Sequence, residues 1–308
     1  MSQSLASTSQ PHMHVAGARI AQVNYATHAS LAHFLASYFP TRARDVLFLY
    51  HVPRSLAFNA QTAPVERIVL SITPTEGVYS AISRPSARAP LVFLHRPFTL
   101  DRSRVRRGTT VVSSHVGFDE VLTVGWNTAL AARLGIDVAK SSCVQGYKGD
   151  PSRRIGIIGH VTADTGSLSA KIQNEFGGWD GVYGFSPNGS EQAEKPVKVV
   201  AIMNAFRPEE IERVLLAAHE KQWVPDPKNG SEILYLTGQV REPGLAAALA
   251  TEMNIICVGH RAAEEWGIRF LASELRQHYP LLEVEEVYEE EEEEVVPRNP
   301  KTPASLPP

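Results

Sequence analysis

Cysteine is nearly absent: Cys143 and Cys257 are the only two in 308 residues, far apart and in no metal-ligand spacing. A disulfide framework and a cysteine-based zinc site are thereby excluded, and a reducing, cytoplasmic setting is expected. Long apolar runs are missing as well. None approaches the ~20 residues of a membrane-spanning helix, so the sequence implies a soluble protein with no membrane partner. Nor is there a stripe of Lys and Arg; without basic residues clustered on one face, no nucleic-acid partner is indicated. The first 44 residues contain no Asp or Glu and include Arg19, Arg42 and Arg44, which makes mitochondrial import the minor alternative for localisation. Against it, Arg19 is the only Lys or Arg before position 42, and helical spacing already begins near His28.

What is present suffices for two domains: 308 residues, 43% of them hydrophobic. Residues 1–16 are rich in Ser, Gln and His without periodicity and read as a disordered leader. In 17–150, the spacing of Leu31, Phe34, Leu35 and Phe39 predicts a helix stopped by Pro40. Apolar runs at Val46 to Tyr50, Ile68 to Ile72, Leu91 to Leu94 and Thr109 to Ser114 predict strands, with helices from Glu76 and around Leu130 and Leu134. In 151–288 the rhythm repeats, with strands at Ile155, Val197, Ile233, Ile255 and Leu282 and helices near Pro208, Gly244 and Arg261; Gly177 to Gly189 is expected to be a surface loop. The expected fold class is therefore α/β, as two similar lobes. The net charge of -3 conceals an acidic run, Glu285 to Glu294, leading into a Pro-rich remainder. The tail, 289–308, reads as solvated and disordered, with a basic protein partner as the alternative.

Three expected strands end in a histidine: His95 after Leu94, His115 after Ser114, and His260 after Val258-Gly259. Asp119 stands four residues after His115, and Glu264 four residues after His260, an offset that puts both members of a pair on one helix face. At the carboxyl end of α/β strands, imidazole and carboxylate so paired suit a divalent ion. Each pair alone is more often a cap or a hydrogen-bonded structural group. Gly156, Gly159 and Gly166 lack the lysine and spacing of a phosphate loop.

Several of these segments resemble one family. Ser113-Ser114-His115-Val116-Gly117-Phe118-Asp119, then Gly125-Trp126-Asn127 and Leu130 to Gly135, are similar to the His-Thr-x-Leu-Asp, Gly-x-Asn and Leu-Ala-x-x-Leu-Gly run of the NIF-three-like proteins, also labelled GTP cyclohydrolase I type 2. Thr237-Gly238-Gln239 and Gly259-His260 through Glu264 to Gly267 resemble that family's closing Thr-Gly-Glu and Gly-His-x-x-x-Glu-x-x-Gly. Leu91 to Pro97 resembles the segment ending His-His-Pro, with Arg96 where the second histidine would stand. The resemblance implies a cleft between the lobes holding two divalent ions, carried over here to His95, Asp119, His260 and Glu264, with His115 as an auxiliary group. It also implies homo-oligomers, up to a hexameric ring.

Arg96 stays protonated and cannot donate a lone pair to a metal, so one or two ions of zinc, manganese or iron are expected, the second site being weakened or lost. Gln239 removes a further acid. Two functions follow: a metal-dependent, cyclohydrolase-like hydrolase of a nucleotide or other phosphate-containing substrate, with Arg96 clamping phosphate, or a degenerate, non-catalytic member acting as an oligomeric interaction scaffold.

Overall fold

A computed structural model describes residues 25–147, 149–185 and 196–290. The expected leader and the tail beyond 290 lie outside these residues. The chain runs through α1 (His28–Ala36), β1 (Leu49–His51), β2 (Arg67–Ser71), α2 (Glu76–Ser83), β3 (Leu91–Leu94), β4 (Thr110–Ser113), α3 (Val116–Val121) and α4 (Thr128–Leu134). It continues with β5 (Ser142–Tyr147), β6 (Asp150–Asp164), α5 (Thr165–Phe176), β7 (Gly181–Tyr183), β8 (Pro196–Met203), α6 (Pro208–Glu220), β9 (Ile233–Thr237), α7 (Glu242–Ala250), β10 (Asn254–Cys257), α8 (His260–His278) and β11 (Glu283–Val287).

Two sheets form, ordered β1-β4-β3-β2-β11 and β5-β6-β8-β9-β10-β7. Strands β11, β2, β3 and β4 are parallel, as are β8, β9 and β10, while β1, β5, β6 and β7 pair antiparallel. Every residue of β2, β3, β4, β9 and β10 is buried. Their unbroken apolar runs are those of parallel strands covered on both faces. The fold class is the expected α/β. Three elements were not anticipated: β5, α5, and β7, which pairs with β10 from within the expected Gly177 to Gly189 loop.

The strand at Leu282 follows the second sheet in sequence but joins the first, beside β2. Its glutamates are met by arginines, Arg84 reaching Glu283 at 3.1 Å and Arg276 reaching Glu286 at 2.7 Å. Glu289 then accepts the Gly77 N–H at 2.6 Å, capping α2 where Thr75 provides no side-chain bond. Part of the acidic run is therefore built into the fold.

Helix α8 ties the two cores together. Ala263 and Trp266 pack with Leu234, Leu236 and Ile256, whereas Ile268, Leu271, Ala272 and Leu275 pack with Ile68, Leu70, Leu91 and Phe93. Truncating Leu271 to Ala is expected to cost about 3 kcal/mol, the usual loss for a buried leucine. At Gly267 a Cβ would lie 2.5 Å from both the Leu122 carbonyl oxygen and the Phe118 ring, so only glycine lets α8 approach α3 this closely. That approach sets the distance between the residues at the two strand ends.

Candidate metal centre

His95 leaves β3 fully buried, its ring lying 4.4 Å from that of Phe118 and 5.0 Å from that of His115. Its Nδ1 is 3.1 Å from the Ser114 carbonyl oxygen, an acceptor only, so Nδ1 carries a proton and Nε2 faces α3 and α8. There it meets Asp119 Oδ1 at 3.3 Å and Glu264 Oε1 at 3.2 Å. Glu264 Oε1 also receives His260 Nε2 at 3.2 Å. The outer oxygens face guanidinium groups, Glu264 Oε2 at 3.1 Å from Arg96 and Asp119 Oδ2 at 3.9 Å from Arg153.

Helix α3 places His115 and Asp119, and Asp45 places α3. The Asp45 carboxylate accepts the N–H groups of His115, Val116 and Gly117 at 2.8–2.9 Å, and the Ser114 hydroxyl at 3.1 Å. It supplies the cap that His115, the residue preceding the helix, does not. These bonds hold the Asp45 carboxyl below its ordinary range despite burial.

Burial alone would lower the pKa of His95, but the Asp119 and Glu264 carboxylates outweigh it and hold the imidazole at about 9. For Glu264, burial is likewise overcome by the bonds from His260 and His95, and its carboxyl sits well below the usual range. Glu264 raises His260, whereas burial lowers His115. The two carboxylates that Nε2 faces thus favour the imidazolium form of His95.

This set fits a divalent ion. His95, His115 and Asp119 offer donor atoms within 4.8 Å of one another, and Glu264 adds an oxygen beside His95 Nε2. The Nδ1 bond to a backbone carbonyl is the usual support of a metal-binding histidine. All six residues singled out in the sequence meet here: His95, Arg96, His115, Asp119, His260 and Glu264. His115, expected only as an auxiliary group, is a member of the compact donor set. Sequence reasoning missed Asp45 and Arg153. Arg153 had a readable signal, since the alternation of a strand puts Arg153 and Arg154 on opposite faces of β6.

No sequence-family model matches this chain, and no curated protein matches it. Solved structures do. A Bacillus cereus protein related to NIF3 matches at 12% identity and a TM-score of 0.51, over 87% of this chain and 98% of its own. The fold is that of the NIF3-like proteins. Protein ybgI, of unknown function, matches at 18% identity and 0.53 over 85% and 98%, and reduced HcgD from Methanocaldococcus jannaschii at 13% and 0.55 over 85% and 97%. At these identities the likeness establishes the NIF3-like architecture alone.

Proposed function

We propose that the protein binds one divalent ion through His95, His115 and Asp119, with Glu264 adding an oxygen beside His95 and His260 next to it, and acts as a hydrolase of a phosphate-containing substrate such as a nucleotide. The observation that carries this reading is the convergence of two carboxylates on His95 Nε2, each with its outer oxygen facing an arginine. A mixed imidazole and carboxylate set suits zinc, manganese or iron. Such an ion, when bound, acidifies water and polarises a phosphoryl oxygen.

The residues divide the remaining work. Arg96 keeps a buried Nε without a partner while one Nη holds Glu264, so it retains donors for a phosphate oxygen. Arg153, a quarter exposed on the Asp119 side, is a second cation for the same anion. His260, with its side chain 64% exposed and its basicity raised by Glu264, is placed to exchange a proton with solvent or substrate. Arg96 also disfavours a second ion by putting a fixed positive charge on Glu264 Oε2.

Elemental analysis of protein purified without a metal-affinity tag, beside His95→Ala and Glu264→Ala, tests the reading. About one equivalent of metal, lost in both variants, supports it. A metal-free protein even after reconstitution would favour the second reading, a non-catalytic scaffold, for which the closed Arg96–Glu264 pair is the specific support. Self-association, which the family resemblance implies, is part of either proposal; Leu47, Leu49 and Leu56 around the edge strand β1 are exposed apolar residues that it could cover. Light scattering on the purified protein reads the assembly directly.

A further inference from the structure

Glu120, the residue after Asp119, turns to different partners. Its carboxylate has no exposed surface and is held by Arg42 through both Nε, at 2.7 Å, and Nη2, and by Arg154 Nε at 2.5 Å. Arg154 spends only its Nε on this bond; among the described residues its two Nη groups have no hydrogen-bond partner. Arg154 belongs to the lining of a cavity of about 260 Å³ that the metal site does not share. The walls are aromatic, from Tyr38, Trp126 and Phe270, and Thr128 and Ala129 complete the side formed by α4. Phe270 is backed by Trp266 at 5.4 Å in a near-parallel stack, and the Arg154 guanidinium lies 5.9 Å from the centre of the Trp126 ring.

Of the two guanidiniums on Glu120, Arg154 is the one that reaches this cavity, and Glu274 lies behind the Tyr38 wall, where it accepts the Tyr38 hydroxyl at 2.9 Å. Among the described residues, Arg154 is the only charged one in the lining, and at its end of the cavity it favours an anion over a cation. The paired Nη groups present the fork that receives two carboxylate oxygens, and the ring faces offer stacking surface. The volume lies just below that of drug-sized pockets, which limits a ligand to one or two rings. We propose that this cavity binds a small planar aromatic carboxylate, its anionic group on the Nη atoms of Arg154 and its ring against Trp126 and Phe270.

The test is calorimetric titration of the full chain with 2-naphthoate in the presence of EDTA, which keeps the metal centre out of the measurement. Saturable binding at one equivalent is expected, weakened about tenfold or more by Arg154→Gln, the loss of a charge-assisted pair. Ala129→Leu, which fills the cavity and leaves Arg154 and Glu120 untouched, should abolish binding and keeps the test decisive if the arginine variant fails to fold. The cationic analogue 2-naphthamidine should not bind, and His95→Ala should bind naphthoate as the parent does. The proposal is overturned by the absence of naphthoate binding, by binding that survives Ala129→Leu, or by equal binding of the amidine.

Discussion

Asp119 and Glu120 are adjacent carboxylates on one short helix with contrasting surroundings. Asp119 is about a fifth exposed and looks onto an imidazole at 3.3 Å, with a guanidinium more distant at 3.9 Å. Glu120 is fully buried and is gripped by two guanidiniums. An imidazolium can give up its proton, so the Asp119 side can trade that proton for a metal ion. Arginine keeps its charge throughout the accessible pH range, so the Glu120 side is a fixed ionic joint. Helix periodicity separates the two residues by a turn of about 100°, and the partner on each face decides which carboxylate is exchangeable and which is structural.

The largest expected effect comes from the joint. Glu120→Gln leaves Arg42 and Arg154 partly buried without a counter-charge and should cost about 3 kcal/mol, the range for breaking a buried pair. Asp119→Asn should cost far less, because Asp119 is itself about a fifth exposed and its guanidinium neighbour stands off at 3.9 Å. Urea midpoints of the two variants measure the contrast, and equal losses would break it. Metal content should run the other way, with Asp119→Asn losing bound ion and Glu120→Gln keeping it.

Next in size is the response to Arg96→His. If the guanidinium on Glu264 Oε2 is what confines the centre to one ion, the substitution should raise bound metal towards two equivalents after reconstitution. Unchanged stoichiometry would show that Arg96 does not limit occupancy. Arg153→Ala sharpens the contrast on the other oxygen: it should leave stoichiometry alone and weaken a phosphate probe several-fold, read by competition of inorganic phosphate with a substrate or by calorimetry.

Much of this centre was legible in the chain because its histidines close strands. The apolar run Leu91 to Leu94 is β3 to the residue, and His95 inherits its position from that strand's end. His260 and Glu264 follow from one helical turn of α8. Asp45 was not legible, because it acts across sequence distance on α3 from a loop with no periodicity. Glu120 was hidden by its own neighbour, since two adjacent acids at a helix surface ordinarily both face water, and only tertiary packing brings Arg42 and Arg154 to one of them. The return of β11 to the first sheet was likewise invisible: an acidic, half-exposed strand pairs there because Arg84 and Arg276 meet its glutamates. Helix α5 is a different kind of miss, for Asp164 caps Ser167 N at 2.7 Å and Gly177 closes the helix in a left-handed conformation, both signals readable in advance.

The smallest expected effect extends the contrast to two buried imidazoles. His95 is raised to about 9 by its carboxylates, whereas His28, equally hidden but with an Nδ1 that finds no partner, is lowered by burial to about 4. A histidine depressed in the fold favours folding as the neutral form, so its contribution is complete above the ordinary value of 6.5 and is lost as pH falls from there towards about 4. Between about pH 7.5 and about pH 5.5 the loss should be about 1 kcal/mol, since most of the unfolded chain, but little of the folded, is protonated at the lower value. His28→Leu removes the titrating ring while preserving apolar contact with Phe58, whose ring centre is 5.2 Å away. The acid-side slope of stability should flatten in that variant and persist in His95→Ala. A slope that survives His28→Leu would mean that its source is another group, and that burial without a charged partner is not enough to make this histidine acid-sensitive.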